Sequence, residues 1–345
     1  MHSRRIAPAL LSLFLFILFA PTLRAQEAPS PSGPPPASDA PPPAPELSDA
    51  PTLNVNVNLV NLYFSARDKD GFVTNLAKSD CSVTEDKVPQ TIKNFTQEKK
   101  LPLTIGILLD TSGSQMNVLP LEQESGATFL RDVLTPKDEA FLISFDINVD
   151  LLADYTNRAS DLRRALNKAK INTGAGTGSI TGNGEPRGTL LYDAVYLAAN
   201  DKLRAETGRK VLVLLTDGGD QGSQETLKTA TEAAQKSNAI IYVILISDPT
   251  FGDGSYNLGF GSSAMQQLAH DTGGRVINVG HNGKKLEDAF NQIQDELRTQ
   301  FLLSYSPTNS KADGTFRKLN LTCGKNLQVQ TRKGYYALPA DEPAQ

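Results

Sequence analysis

Residues 103–114 read Leu-Thr-Ile-Gly-Ile-Leu-Leu-Asp-Thr-Ser-Gly-Ser, an apolar run that ends in a carboxylate and two hydroxyls. Such a run is typical of a strand in a parallel sheet, because helices cover both faces of that sheet. Further runs of this kind occur at 140–145, 211–215, 240–246 and 275–279. Helical periodicity is found between them, at 119–134, 160–169, 190–204, 224–236, 263–270 and 286–299. This alternation predicts a doubly wound α/β domain with a mainly parallel sheet over residues 101–299, with one antiparallel edge hairpin at 149–153.

The segments on either side of this domain have the period of β-strands. Residues 52–97 alternate apolar and polar side chains between turn signals. Residues 300–338 contain three further predicted strands, at 301–305, 316–323 and 327–335. Each segment has too few strands to be stable alone. We expect the two to form one small β-sandwich, and two separate flaps are the alternative.

The two cysteines of the chain are placed one in each of these β segments. Cys81 alternates in phase with Val83, and Cys323 alternates in phase with Leu319 and Leu321, so both should face the inside of the sandwich. In an oxidising compartment, two inward thiols on neighbouring strands are close enough to pair. A disulfide is therefore predicted, and two buried thiols that only fill space are the alternative.

The first residues of the chain carry a signal of export. Arg4 and Arg5 precede an apolar run over 6–23, and Ala25 follows it, which is the order of a secretory signal peptide over 1–25. An uncleaved membrane anchor is the alternative. Residues 26–51 are rich in Pro, Ala and Ser and predict a disordered linker, and 339–345 predict a disordered tail. We expect an exported protein in the periplasm, at the cell surface or secreted.

The charge pattern excludes one class of partner. The formal net charge is −4, and the Lys and Arg residues are scattered along the chain. Nucleic-acid binding needs a clustered basic surface, so it is not expected. Contact with a membrane is expected only through the signal segment, if that segment is not cleaved.

Oxygen-bearing side chains follow two of the predicted strands. Asp110, Ser112 and Ser114 come where the first strand of the α/β domain ends, and Asp217 follows the strand at 211–215. Ligands of open α/β sheets bind at the carboxyl ends of the strands. Thr189 begins a helix, where a hydroxyl also serves as a cap. Hard oxygen donors of this kind suit Mg²⁺, Mn²⁺ or Ca²⁺.

These motifs, in this order, resemble the von Willebrand factor A (VWA) family and its metal-ion-dependent adhesion site (MIDAS). The matching pieces are Asp-Thr-Ser-Gly-Ser at 110–114, Gly-Thr-Leu-Leu-Tyr-Asp-Ala at 188–194 and Leu-Thr-Asp-Gly at 215–218. The flanking segments are similar to exported bacterial proteins described as VWFA-related, although Cys81 stands where those sequences usually have an aromatic residue. The resemblance implies that Ser112, Ser114 and Thr189 bind the ion directly or nearly so, and that Asp110 and Asp217 act mostly through water.

The resemblance also implies what the site recognises. An acidic group of a protein or glycan partner would complete the coordination of the ion. A structural or assembly component of the cell envelope, with a metal that stabilises its fold, is the alternative. Loops at the same end of the sheet, 174–188 and 249–262, should provide specificity. Exposed aromatic residues near a polar centre are common binding anchors, so Phe251, Tyr256 and Phe260 are the candidate ligand contacts.

An enzyme is not predicted. Phosphatase chemistry at Asp110 would need a second aspartate two residues later, where Ser112 stands. A serine hydrolase would need a nucleophile elbow such as Gly-x-Ser-x-Gly after a strand, and none is placed there. His270 and His281, which remain after signal removal, fit structural or solvated positions. The glycine-rich stretch 174–188 lacks the lysine of a phosphate-binding loop.

Overall fold

A computed structural model describes residues 59–98, 101–172, 188–246 and 260–339 of the chain. The predicted signal peptide, the linker and residues 340–345 lie outside these ranges. The strands, numbered along the chain, are β1 Val60–Arg67, β2 Cys81–Glu85, β3 Val88–Gln90, β4 Ile92–Gln97, β5 Leu103–Asp110, β6 Glu139–Phe145, β7 Val149–Thr156, β8 Arg209–Thr216, β9 Ala239–Ile246, β10 Val276–Gly280, β11 Phe301–Tyr305, β12 Phe316–Cys323, β13 Gln328–Gln330 and β14 Gly334–Tyr336. The helices are α1 Leu119–Val133, α2 Ala159–Leu166, α3 Leu191–Leu197, α4 Leu227–Lys236, α5 Phe260–Thr272 and α6 Gly283–Thr299.

The six-stranded sheet at the centre of the fold has the order β10-β9-β8-β5-β6-β7. Its strands are parallel except for β7, which pairs antiparallel with β6 at the edge, as the 149–153 pattern predicts. Apolar residues cover both faces, which explains the unbroken apolar runs. One face packs on α1, α2 and α6. The other packs on α3, α4 and α5. The predicted doubly wound α/β fold is confirmed.

The chain reverses its direction of sheet growth at β5. From β5 it adds β6 on one side, and it later adds β8 on the other side of the same strand. This is the topological switch point of an open α/β sheet, and it leaves a crevice at the carboxyl ends of β5 and β8.

The flanking segments combine into a second layered unit, as expected. One four-stranded sheet has the order β13-β1-β11-β4 and the other has the order β14-β12-β2-β3, so each sheet contains two strands from before the α/β domain and two from after it. Their shared core contains Leu62, Val83, Leu303 and Leu321. Phe64 stacks on Phe301 in this core, with ring centroids 5.3 Å apart.

Cys81 and Cys323 form a disulfide in this unit, which confirms the predicted pairing. The two residues are directly opposite in the antiparallel register of β2 and β12, with their Cα atoms 4.0 Å apart. The bond closes a sequence separation of 242 residues.

The predicted single strand over 327–335 is wrong. Residues 328–330 pair with β1 as β13, whereas 334–336 pair with β12 in the opposite sheet as β14. Between them, the Thr331 hydroxyl donates to the Tyr63 carbonyl at 2.9 Å, and Arg332 donates to the Asn61 carbonyl at 2.9 Å. These bonds hold the chain where it crosses between the sheets. The short edge strand β3, which contains Pro89, was also not predicted.

The two units are joined by a buried polar contact. Glu296 of α6 accepts a hydrogen bond from the Ser65 hydroxyl of β1 at 2.8 Å and pairs with Arg275 at 2.8 Å. The Glu296 carboxylate thereby connects the last helix of the α/β domain to the first strand of the sandwich. No helix in the described part of the chain has the length and apolar character needed to cross a membrane.

Candidate metal centre

Asp110 and Asp217 lie on neighbouring strands at the switch point. Asp110 is the last residue of β5, and Asp217 directly follows β8. The two strands are in parallel register, with Leu109 opposite Leu215. Both aspartates therefore lie at the carboxyl edge of the sheet, at the crevice where ligands of such folds bind.

The Asp110 carboxylate is fully buried and held by two hydrogen bonds. One oxygen accepts from the Ser112 backbone N–H at 3.0 Å, and the other accepts from the Thr216 hydroxyl at 2.7 Å. The Ser112 and Ser114 hydroxyl oxygens are 3.0 Å apart. The turn after β5 thus brings the two serine hydroxyls of the motif together.

Thr189 is connected to the carboxyl edge of the sheet by its hydrogen bonds with the loop that follows Asp217. Its backbone exchanges two hydrogen bonds with Gln221, each 2.9 Å long. Asp217 in turn accepts a hydrogen bond from the Gly219 N–H at 3.0 Å. The three motifs are therefore tied to one end of the sheet, while the binding of an ion by these five residues stays a prediction.

The electrostatics of the site favour the binding of a cation. Burial, and to a smaller extent the charge of the neighbouring Asp217 carboxylate, raise the pKa of Asp110 to about 7 against the opposing hydrogen bonds from Ser112 and Thr216. The two carboxylates repel one another unless a cation or a proton compensates their charge. A divalent ion would remove that repulsion.

The residues present fit a hard cation rather than a soft one. They offer two carboxylates and three hydroxyls, and such oxygen donors favour Mg²⁺, Mn²⁺ or Ca²⁺. Within the described ranges, no group of three or more His, Cys, Asp and Glu side chains is arranged to hold a metal. A site here would therefore depend on the serine and threonine hydroxyls.

Glu122 is a third carboxyl group near the site that sequence reasoning missed. Its side chain, in the first turn of α1, is completely buried, and neither carboxylate oxygen has a hydrogen-bond partner among the described residues. Burial raises its pKa well above the usual range, and the charges of Asp110 and Asp217 add to the rise. A charge inside the apolar stripe of α1, between the buried Leu119 and Gly126, is the signal that could have revealed it.

Asp146 is the second residue that was missed, and it organises the loops. It accepts hydrogen bonds from the Thr111 hydroxyl at 2.8 Å and the Asn172 amide at 3.1 Å, and its carbonyl accepts from the Leu190 N–H at 2.8 Å. These bonds connect the turn after β5 to the start of α3. The signal was available, because Asp146 directly follows the apolar strand β6 just as Asp110 ends β5.

The candidate ligand-binding aromatics are not located by the structure. Phe251 and Tyr256 lie outside the described residues, as does most of the 174–188 loop. Phe260 is the first residue of α5, and its side chain is not described. His270 is exposed beside Asp271, with the ring nitrogen 3.3 Å from the carboxylate, and His281 lies in an exposed turn. Neither histidine contacts the candidate site.

Comparison with known proteins finds similar chains among the solved structures only. No protein-family model and no curated protein matches the sequence. The chain is similar to the solved structure of BatB, a conserved hypothetical protein from Bacteroides thetaiotaomicron, with 17% identity over 57% of this chain and 99% of that chain and a TM-score of 0.45. It is also similar to the vWF domain of the type V pili tip protein Mfa5 from Porphyromonas gingivalis, with 14% identity over 58% and 96% of the two chains and a TM-score of 0.43.

A third similar structure has a metal in its motif. Proximal thread matrix protein 1 from the mussel byssus, with a zinc-occupied MIDAS motif, has 18% identity to this chain and a TM-score of 0.45. The match covers 61% of this chain and 48% of that one, so it spans about half of the mussel protein's length.

Proposed function

We propose that this chain is an exported, non-enzymatic binding protein whose α/β domain holds a divalent cation and uses it to recognise an acidic group on a protein or glycan. The observation that carries the proposal is the pairing of Asp110 with Asp217 at the switch point, beside the Ser112 and Ser114 hydroxyls. Asp110 is fully buried and Asp217 is half-buried, and like charges at the ligand-binding edge of a sheet are costly without a cation.

The chain's own residues would divide the work around the ion, which is Mg²⁺ or else Mn²⁺ or Ca²⁺. The Ser112, Ser114 and Thr189 hydroxyls would act as donors, and Asp110 and Asp217 would neutralise its charge. These groups leave room in an octahedral shell for water or for the carboxylate of a partner. The aromatic residues Phe251, Tyr256 and Phe260 remain the predicted contacts with the rest of that partner.

Calorimetry with each metal ion alone tests the metal site. We expect one Mg²⁺-class ion per chain, and Asp110→Ala should lower its affinity by roughly 10- to 100-fold, because removing a group that holds or orients the metal typically has that effect. Asp150→Ala, on the exposed side of β7, is the matched control and should leave the affinity unchanged. Equal affinities for the wild type and Asp110→Ala would contradict the proposed site.

A structural or assembly role in the cell envelope is the second candidate function. The complete burial of Asp110 and Glu122 favours it, since an ion near them would also stabilise the fold. Binding of envelope-extract components to immobilised protein, with Mg²⁺ or with chelator, separates the two functions when circular dichroism is recorded in parallel. Loss of binding with an intact fold supports recognition, and loss of fold supports the structural role.

A further inference from the structure

A second site is suggested by a cleft at the opposite end of the α/β sheet. The cleft has a volume of about 630 Å³ and lies between the amino ends of β8 and β9 and the sandwich. Lys210 and Ile240 line it from the sheet, and Asn61 and Tyr335 line it from the sandwich. Asp110 and Asp217 are at the carboxyl ends of the strands, so this cleft is separate from the candidate metal centre.

The charges that line the cleft are mostly positive. Lys210, Lys236, Lys311 and Arg332 contribute four cations. Among the described lining residues, Glu206 is the one carboxylate. The whole chain has a net charge of −4, so this local excess of positive charge runs against the overall balance.

Lys210 is a buried ammonium without a salt bridge. The residue is 7% exposed, and its Nζ atom donates to the Arg204 carbonyl at 3.3 Å. No carboxylate of the described residues lies within 4.0 Å of it. Burial lowers the pKa of Lys210 to about 8, although the more distant Glu206 carboxylate opposes the shift. A buried charge of this kind is costly unless a partner compensates it.

Arg332 is a second cation of the cleft, on the sandwich side, and its side chain is half-buried. Its guanidinium donates to the Asn238 side chain and to the Asn61 carbonyl, and it lies 5.6 Å from the centre of the Tyr335 ring. Its Nε atom is buried without a hydrogen-bond partner in the described structure, and burial lowers its pKa to about 10.

Two other arginines of the fold are paired with carboxylates. Arg275 pairs with Glu296 at 2.8 Å, and Arg317 pairs with Asp313 at 3.0 Å. Arg332 has no such carboxylate in the described ranges. Arg332 therefore differs from these two ion pairs, and a charge with a shifted pKa in a cleft is a candidate for function.

Lys210 and Arg332 are brought to neighbouring positions by the sheet. Asn238, which accepts from Arg332, directly precedes Ala239, and Ala239 is paired with Lys210 in the register of β8 and β9. Adjacent strands are about 4.8 Å apart, so the two cations approach the cleft from adjoining positions. The cation of Lys236 lies 5.0 Å from the centre of the Tyr336 ring on the same cleft wall, and unlike Lys210 and Arg332 it has a carboxylate partner, Glu232, at 3.8 Å.

We propose that this cleft binds a small organic anion that carries phosphate or carboxylate groups. Lys210 and Arg332 supply the charge that holds the anionic group, and Tyr335 and Tyr336 flank the body of the molecule. A polar, partly aromatic pocket of several hundred Å³ has the size of a typical small-molecule site. The anion would replace the carboxylate partners that both cations lack. This proposal does not depend on the metal centre.

The experiment uses inorganic pyrophosphate and citrate as probes for the two anionic chemistries. Both probes bind metal ions, so calorimetry is done on metal-free full-length protein in the Asp110→Ala background, where the candidate metal centre is disabled. We expect binding of at least one probe, and the affinity should fall as salt is added, because exposed rim charges such as Lys311 are screened. Stronger binding of pyrophosphate would indicate a phosphate ligand, and stronger binding of citrate would indicate a carboxylate ligand.

Three variants assign the binding to the cleft. Lys210→Met should lower the affinity for the probe by roughly 10- to 100-fold, which corresponds to one lost charge-assisted hydrogen bond. Lys236→Met, at the rim, should lower it by a smaller factor and remains informative if the first variant does not fold. Lys285→Met, an exposed lysine on α6, is the matched control and should not change it.

Two outcomes would overturn the proposal. One is the absence of binding of either probe to the Asp110→Ala protein. The other is an affinity that is equal in the Lys210→Met, Lys236→Met and Lys285→Met proteins. Because the metal centre is disabled throughout, neither outcome depends on whether the proposed metal-binding function is correct.

Discussion

At the scale of single residues, the candidate metal centre contains carboxyl groups whose ionised form is unfavourable in the metal-free protein. Asp110 is fully buried, and Glu122 is buried without a hydrogen-bond partner among the described residues. Burial and mutual repulsion raise the pKa of both groups. The folded, metal-free protein therefore binds protons at these groups more tightly than the unfolded chain does.

This proton binding predicts a pH dependence of stability. A carboxyl group whose pKa is raised in the folded state stabilises that state at low pH, and the contribution is lost as the pH rises through the raised value, which is about 7 for Asp110. In metal-free buffer, the free energy of unfolding should therefore be lower at about pH 8 than at about pH 5. Mg²⁺ should reverse most of that loss, because it compensates the ionised carboxylates. Denaturant unfolding at both pH values measures the effect.

Variants test the origin of this pH dependence. Glu122→Gln removes one of the raised carboxyl groups and should reduce the loss of stability between the two pH values. Asp150→Asn, on an exposed strand, should leave the loss as it is in the wild type. A metal-free wild type that is equally stable at both pH values would contradict the prediction.

The residues of the site differ in how well they could be predicted. Asp110, Ser112 and Ser114 are in a short spacing at the end of one strand, and Asp217 directly follows another strand, so local patterns reveal them. Glu122 has a weaker signal, a charged residue inside the apolar stripe of α1. That signal predicts an unusual buried charge, whereas the proximity of Glu122 to Asp110 and Asp217 arises from the fold.

At the scale of elements, β5 shows why the central apolar runs were predictable. Every residue from Leu103 to Asp110 is buried. The apolar composition of β5 therefore reflects burial on both faces of the sheet. The split between β13 and β14 had no such signal, since both are three-residue strands at the ends of sheets. Their pairing is determined by tertiary contacts of Thr331 and Arg332, which local periodicity does not reveal.

Gly106, in the middle of β5, provides a prediction at this scale. A Cβ atom at this position would lie 2.3 Å from Cζ of the buried Phe141 ring and 2.6 Å from Cδ2 of Leu212. Gly106→Ala should therefore lower the free energy of unfolding by about 1–3 kcal/mol, as is usual for overpacking of a core. Because β5 carries Asp110, the affinity for Mg²⁺ should fall as well.

A matched substitution separates crowding from the loss of a glycine. Gly126→Ala, in α1, adds a Cβ atom whose nearest neighbour is 3.6 Å away, and helix propensity favours alanine by roughly 1 kcal/mol. It should leave stability unchanged or raise it. Thermal unfolding in which Gly106→Ala melts at the wild-type temperature would refute the steric argument for β5.

At the scale of the whole molecule, the sandwich closes the chain on itself. Each of its sheets contains strands from before and after the α/β domain, so neither segment completes a sheet without the other. The Ser65–Glu296 hydrogen bond and the Arg275–Glu296 pair connect this unit to α6. The sandwich is therefore expected to restrain both ends of the α/β domain.

The disulfide between Cys81 and Cys323 should make this closure a major source of stability. It joins residues 242 positions apart, and the loss of unfolded-chain entropy for such a long loop is worth up to about 5 kcal/mol. The double variant Cys81→Ala/Cys323→Ala should therefore unfold at a clearly lower denaturant concentration than the oxidised wild type. Reduced wild type is the matched control and should behave like the variant.

The affinity for Mg²⁺ should be retained, because the bond lies in the sandwich and contributes no donor to the site. An unchanged denaturation midpoint, or two free thiols found by mass spectrometry in protein from its native compartment, would show that the bridge does not have this role.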